Sequence, residues 1–201
     1  MMPEQNFEYE DVRYSIKNPI ARRLHSRFDS VLEQFVKTTE AKSVLEIGCG
    51  EGFILRRIIE ILKPETAYGG DVSEYWLERA KRNLGDLAEL SLLNVENLPF
   101  DDRKFDLVTC IEVLEHVENP KAGIEEIARV TTEWAIVSVP NRYLWRFGNL
   151  SRFKYFSSGG NTPGHINEWT KGQFRKFVEP HFMIVEHHTP FPWQIVLLRK
   201  K

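Results

Sequence analysis

The chain has 201 residues, enough for one domain with a sizeable core and too few for two. Apolar residues make up 42% and charged residues 28%, which excludes a disordered chain. A formal net charge of -2 excludes an overall electrostatic footprint for nucleic acid, although a local basic patch remains open.

No apolar run approaches the roughly 18 residues of a membrane-spanning helix. Residues 1–11 are polar and acidic, unlike a secretory signal. Cys49 and Cys110 each lie in an apolar run and read as buried free thiols of a reducing compartment. The cytoplasm is the expected location.

Residues 1–17 read as a polar lead-in. Over 18–38, Ile20, Leu24, Phe28, Val31, Leu32, Phe35 and Val36 recur at helical spacing, with Arg22, Arg23 and Arg27 opposite. A buried strand is expected over 43–47 and a helix over 52–62, stopped by Pro64. A short strand at 67–70 leads to a helix over 73–83, with Ser73 as its N-cap. Strands follow at 90–93 and 105–110, then a helix at 120–130 and a strand at 134–139 ended by Pro140. A helix over 170–178 is capped by Thr170. Apolar runs at 182–185 and 194–198, split by Pro190 and Pro192, read as a terminal hairpin. Five alternations of strand and helix predict an α/β fold: a doubly wound, mostly parallel sheet with helices on both faces. Its ligands sit beyond the carboxyl ends of the strands. The chain divides into a lead-in and helix (1–40), a core (41–139), an insertion (140–165) and a closing helix and hairpin (166–201) of one domain.

The strongest motif is Glu46-Ile47-Gly48-Cys49-Gly50-Glu51-Gly52, between a strand and a helix. Its glycines let the backbone turn sharply and a ligand approach the main chain. A dinucleotide loop wants Gly or Ala three residues after its second glycine, where this chain has Phe53. Glu46 has the wrong sign for a phosphate, so a cationic ligand fits better. Asp71 ends the next strand, where a carboxylate can accept from both ribose hydroxyls of a nucleoside. The plainer role for such an aspartate is a turn or helix cap.

Four motifs in order, VLEIGCGEG, GGDVSEYWLERAK, NVENLPF and FDLVTCIEVLEHVENP, resemble class I S-adenosylmethionine-dependent methyltransferases over roughly 43–139. The resemblance is to the small-molecule branch near the ubiquinone- and menaquinone-biosynthesis enzymes. It implies a seven-stranded sheet with the last hairpin strand antiparallel. It also implies how the cofactor lies, with Glu46, Gly48, Cys49 and Gly50 at its methionine end. Asp71 would hold the ribose, Val72 would pack on adenine, and Asn94 and Val95 would meet the adenine edge, with Ile111 and His116 beside the cofactor. Asn94 stands where the family usually carries Asp. Its amide oxygen can still accept from the adenine amino group, so weaker binding is expected.

If a helical turn follows the fourth strand, Glu112, Glu115 and His116 share one face at the spacing i, i+3, i+4. With His165, before Glu168-Trp169-Thr170, the set resembles the metal ligands of 3′-terminal small-RNA 2′-O-methyltransferases. The ubiquinone O-methyltransferases share its first part. That resemblance implies a divalent cation, Mn²⁺ or Zn²⁺ as readily as Mg²⁺. In metal-free relatives the histidine borders the cofactor and the glutamates are solvated or ion-paired. His116 and His165 are also the candidate catalytic bases. Residues 140–158 carry Arg142, Arg146, Arg152 and Lys154 among Tyr143, Trp145, Phe147, Phe153, Tyr155 and Phe156, with no acid. They read either as a lid over the substrate, also suited to a membrane surface, or as a packed cap. The glycine-rich run 159–164 reads as its hinge. His187 and His188 read as a solvated strand end.

The expected function is transfer of a methyl group to a small molecule, at an oxygen of an anionic, aromatic or lipid-linked acceptor. The alternatives are an RNA 2′-O-methyltransferase and a non-catalytic cofactor-binding protein.

Overall fold

The computed structural model describes residues 18–150 and 160–201. Helix α1 (Pro19–Thr39) starts where Asn18 Oδ1 accepts from the N–H groups of Ile20 (2.9 Å) and Ala21 (3.3 Å), with Pro19 supplying a φ already set for a helix. There follow β1 (Ser43–Ile47), α2 (Phe53–Leu62), β2 (Thr66–Asp71), α3 (Glu74–Leu84), β3 (Glu89–Leu92), β4 (Phe105–Ile111) and α4 (Pro120–Val130). The chain closes with β5 (Thr131–Pro140), α5 (Arg142–Leu150), α6 (Lys171–Val178), β6 (Phe182–His188) and β7 (Trp193–Lys200).

The seven strands lie in the order β3-β2-β1-β4-β5-β7-β6. All neighbours are parallel except that β7 runs antiparallel to both β5 and β6. The strand period of two splits the core into two layers. Leu45 and Ile47 of β1 face α4 and α6, among Ile124, Ile127 and Phe174. Val44 faces the other side, among Phe28, Leu32 and Phe35 of α1 and Leu55 and Ile58 of α2. Burial of each such side chain contributes about 1.5–3 kcal/mol. The order reverses between β1 and β4, so the crevice beyond their carboxyl ends is the topological switch point.

Two expectations change locally. β5 is longer than expected at both ends, because Thr131 pairs with Phe105 of β4 and Pro140 pairs with Trp193 of β7. Ser73 stands at the N-cap position of α3, but its side chain makes no cap hydrogen bond. No helix among the described residues is long and apolar enough to cross a membrane.

Candidate functional site

The glycine loop is folded onto β2 by its own backbone. The N–H groups of Gly48 and Cys49 both donate to Gly70 O, at 2.7 and 2.9 Å. Gly48 has φ +71, and a Cβ there would stand 2.2 Å from Val113 Cγ2, so only glycine lets the loop and the segment after β4 touch. Asp71 locks the loop's far side: its oxygens accept from Gly50 N–H and Ser73 N–H, each at 3.0 Å. Asp71 is therefore a turn aspartate. A carboxylate offers about four lone-pair sites, so two remain for the hydroxyls of a ribose.

Beside this loop lies a cavity of about 790 Å³. Of the residues expected at the cofactor, Gly48, Gly50, Asp71, Val72, Asn94, Val95 and His116 line it. Glu46, Cys49 and Ile111 do not line it. Glu46 is 1% exposed, and Cys49 Sγ lies over Gly69, where burial raises the thiol pKa well above its ordinary value. Ile111 belongs to the core layer of α1 and α2. Asn94 Oδ1 accepts from Glu96 N–H at 2.9 Å, so one lone pair of the oxygen expected to meet adenine holds a turn instead. Sequence reasoning missed Trp76, Val113 and Val117 in the wall. An aromatic residue five positions after Asp71, in the first turn of α3, was the available signal for Trp76. Four carboxylates line the cavity, those of Asp71, Glu96, Glu112 and Glu118, with no lysine or arginine among the lining residues.

No helical turn follows β4. His116 N–H closes a tight turn onto Val113 O at 2.9 Å, and Glu112 has φ +58, in the left-handed region. The expected face of Glu112, Glu115 and His116 therefore does not form. Glu112 instead accepts from Ser138 Oγ at 2.8 Å. Glu115, His116 and His165 do converge, with one donor atom of each within 4.8 Å of the others. An ion held by about 2.1 Å bonds in a tetrahedron would draw those donors to about 3.4 Å apart. The set the structure assembles has three members, not four.

His165 reaches this place because the two residues after it are hydrogen-bonded to the turn. Ile166 and Asn167 N–H donate to Glu115 O, at 2.9 and 3.0 Å. Asn167 Nδ2 donates to Leu114 O at 3.2 Å and Val117 O at 2.7 Å. His116 Nδ1 lies 2.9 Å from Gly164 O, so in the neutral ring that nitrogen carries the proton and Nε2 keeps its lone pair. Burial, then the neighbouring His116, pushes the His165 pKa down to about 4, against the pull of Glu168.

From His165 a line of rings runs away from the cavity. Trp145 lies 5.2 Å from His165, Trp193 6.1 Å from Trp145, and His25 4.8 Å from Trp193. Trp145 belongs to α5, a helix the sequence did not reveal. α5 is fastened by Trp145 Nε1 donating to Thr162 Oγ1 at 2.9 Å and by the fork of Arg146 on Glu168 at 2.8 and 2.6 Å. Tyr143 and Phe147 are exposed on its outer side. Arg152, Phe153, Lys154, Tyr155 and Phe156 of the expected lid lie outside the described residues. His187, expected to be solvated, is half-buried, with Nε2 3.3 Å from Gln194 Oε1.

Residues 45–137 match the methyltransferase domain family. The chain is 30% identical over 155 residues to a ubiquinone biosynthesis O-methyltransferase of Nitrosomonas europaea, covering 74% of this chain and 63% of that protein. It is 34% identical over 91 residues to a tRNA U34 carboxymethyltransferase of Nautilia profundicola, covering 44% of this chain and 30% of that one. The chain thus spans less than two thirds of the length of these curated relatives. Among solved structures it resembles the magnesium protoporphyrin IX methyltransferase of Synechocystis with bound SAH, at TM-score 0.69 and 20% identity over 92% of this chain and 88% of that one. A protein of Pyrococcus horikoshii aligns at TM-score 0.74 and 18% identity over 94% and 95% of the two chains. These structures share its Rossmann-like methyltransferase fold.

Proposed function

We propose, from the premise that residues 45–137 are a methyltransferase domain of the class I type, that the chain transfers a methyl group from S-adenosylmethionine to a small-molecule acceptor. The observation that carries this reading is the charge of the cavity at the switch point. Four carboxylates and no cationic side chain line it, which repels a pyrophosphate and suits a nucleoside bearing a sulfonium and an ammonium. The residues present fit that group. Asp71 keeps lone pairs for a ribose, Trp76 and Val72 offer apolar surface to a base, and a Cβ at Gly50 would meet nothing within 4 Å. Calorimetry with S-adenosylmethionine, S-adenosylhomocysteine and NAD tests it. Both nucleosides should bind, and NAD binding without either nucleoside would sink the assignment.

The bound cofactor supplies a methyl group and a neutral thioether leaving group. The chain's own residues align the acceptor behind that methyl and keep water out. The half-buried rings of His165 and Trp145 beside His116, backed by the buried Trp193, support an aromatic acceptor. The exposed Tyr143, Phe147 and Ile166 support an acceptor with an apolar tail or one presented at a membrane. An acceptor hydroxyl would give its proton to Nε2 of His116, while His165, whose depressed pKa keeps it neutral but a weak base, would accept a hydrogen bond from that hydroxyl.

The convergence of Glu115, His116 and His165 favours a second form of the same reading, O-methylation beside a divalent ion. The ion would lower the pKa of a bound hydroxyl. Added Mn²⁺ or Zn²⁺ should then raise both the melting temperature and turnover, and chelator should reverse both. No response in either would leave the histidines acting without metal.

A further inference from the structure

Glu112 holds a conformation that an unstrained chain would give to glycine or asparagine. Its φ is +58, and a non-glycine residue persists there only when its surroundings over-determine it. Ser138 supplies that constraint. Its carbonyl accepts Glu112 N–H at 3.2 Å, and its hydroxyl donates to Glu112 Oε1 at 2.8 Å. Ser138 lies in β5, pairs with Ile111 of β4 and is fully buried. The carboxylate is thus fixed in the cavity wall, apart from the cluster of Glu115, His116 and His165.

The sheet order says which part of a ligand it meets. Asn94 and Val95 follow β3, Asp71 ends β2, Gly48 follows β1 and Glu112 follows β4, and these strands are consecutive neighbours. At about 4.8 Å per strand, the row spans about 14 Å. A nucleoside with its base at β3 and its ribose at β2 puts the sulfur and the amino-acid tail over β1 and β4. The other lining carboxylates stand at the end of β2, after β3, or exposed beyond the turn. Asp71 accepts from two backbone N–H groups, Glu96 accepts from Asn119 N–H at 2.8 Å, and Glu118 is exposed.

We propose that Glu112, locked by Ser138, is the residue that reads the charge on sulfur, holding the sulfonium form of the cofactor in preference to the neutral thioether product. The inference rests on the methyltransferase reading above. In the forward reaction a lone pair of the acceptor forms the new bond to the methyl carbon while the S–CH3 bond breaks and its electron pair stays on sulfur, so the positive charge opposite Glu112 disappears. Glu112 then loses its attraction for the nucleoside, and product leaves while fresh cofactor enters.

Calorimetry on the whole chain tests this with three ligands: S-adenosylmethionine, S-adenosylhomocysteine, and the analogue with an ammonium-bearing carbon in place of the methyl sulfonium. Glu112→Gln keeps an oxygen for the Ser138 hydroxyl and removes only the charge. It should lower the preference for S-adenosylmethionine over S-adenosylhomocysteine about tenfold, the effect of one partly screened ion pair. The ammonium analogue should weaken with S-adenosylmethionine while S-adenosylhomocysteine stays unchanged. Ser138→Ala should reduce the preference in the same direction by a smaller factor, which keeps the test alive if Glu112→Gln does not fold. Parallel weakening of all three ligands, or an unchanged ratio in both variants, overturns the inference but leaves cofactor binding intact. Failure of the unmodified protein to bind either nucleoside overturns the methyltransferase reading and this inference together.

Discussion

On the Gly48 side of His116 the cavity is walled by the ends of β1, β2 and β3. On the His165 side the surroundings are side chains drawn from α1, α5, the segment 160–169 and β7. The first wall is made of backbone groups of the glycine loop and of side chains such as Asp71, Val72, Trp76 and Asn94, all within the contiguous stretch 47–96. The second joins residues far apart in sequence, such as His25, His116, Trp145, His165 and Trp193, through ring contacts and a few hydrogen bonds. The first suits a ligand whose shape never changes. In the second, His165 and Trp145 are half-buried side chains outside the sheet, whereas Trp193 is part of the core that the sheet builds.

If that division is sound, damage to the first wall should abolish cofactor binding, and damage to the second should leave it intact. The largest expected effect is Gly48→Ala. The new Cβ would stand 2.2 Å from Val113 Cγ2, on a residue already at φ +71. Overpacking and left-handed backbone strain together cost about 2–4 kcal/mol. Thermal melting should show the loss, and calorimetry should find no cofactor binding in whatever folds. Normal affinity in this variant would mean that the loop is not the cofactor's cradle. Asp71→Ala comes next. It strands the N–H groups of Gly50 and Ser73 and removes the proposed ribose acceptor, so affinity should fall by about 1–3 kcal/mol.

Asn167→Ala probes the other wall. It removes the two side-chain hydrogen bonds to Leu114 O and Val117 O that fasten the His165 segment to the turn. Stability should fall by about 1–2 kcal/mol and turnover should drop, with cofactor affinity unchanged. Hydrogen exchange at Ile166 and Asn167 N–H should quicken, because their bonds to Glu115 O lose support. Equal loss of cofactor affinity would merge the two walls into one.

The same contrast decides what the sequence revealed. The helix at Pro120–Val130 was found residue for residue, because Asn119 caps it, Pro120 opens it and its apolar face repeats at helical spacing. The glycine loop and Asp71 were legible because their chemistry is local. α5 was hidden by residues of modest helix propensity, such as Tyr143, Phe147, Gly148 and Asn149, and by packing that only distant partners supply. The spacing of Glu112, Glu115 and His116 misled for a backbone reason. A left-handed residue at position 112 turns its side chain towards Ser138, and no periodicity encodes that. The ring line from His165 to His25 joins residues more than a hundred positions apart, with no pattern to mark them.

The smallest expected effect is a pH dependence seated beneath the second wall. His187 Nε2 contacts Gln194 Oε1, and Gln194 Nε2 donates to Trp169 O at 3.0 Å, next to the segment that carries His165. The His187 ring also meets Phe174 edge-on. Burial, then the charge of Lys171, lowers its pKa to about 4, with Arg175 and His188 adding to the shift and the Gln194 contact opposing it. The folded chain therefore resists protonation that the unfolded chain accepts near its ordinary value of 6.5. Below that value the unfolded state binds more protons, so stability falls as pH drops from 6.5 towards 4 and is fully present above 6.5. Solvent at the half-exposed ring reduces the loss to about 1 kcal/mol. His165 contributes with the same sign over the same window, so its effect must be subtracted. Melting temperatures of the unmodified chain and of His187→Gln should therefore converge as the pH falls from 7 to 4, because the variant lacks one of the two titrating rings. Parallel curves would show that His187 takes up its proton as readily in the folded chain as in the unfolded one. Exchange protection at Ile166 should weaken at acid pH before that of Gly48, since the ring that protonates connects through Gln194 to Trp169, close in sequence to Ile166.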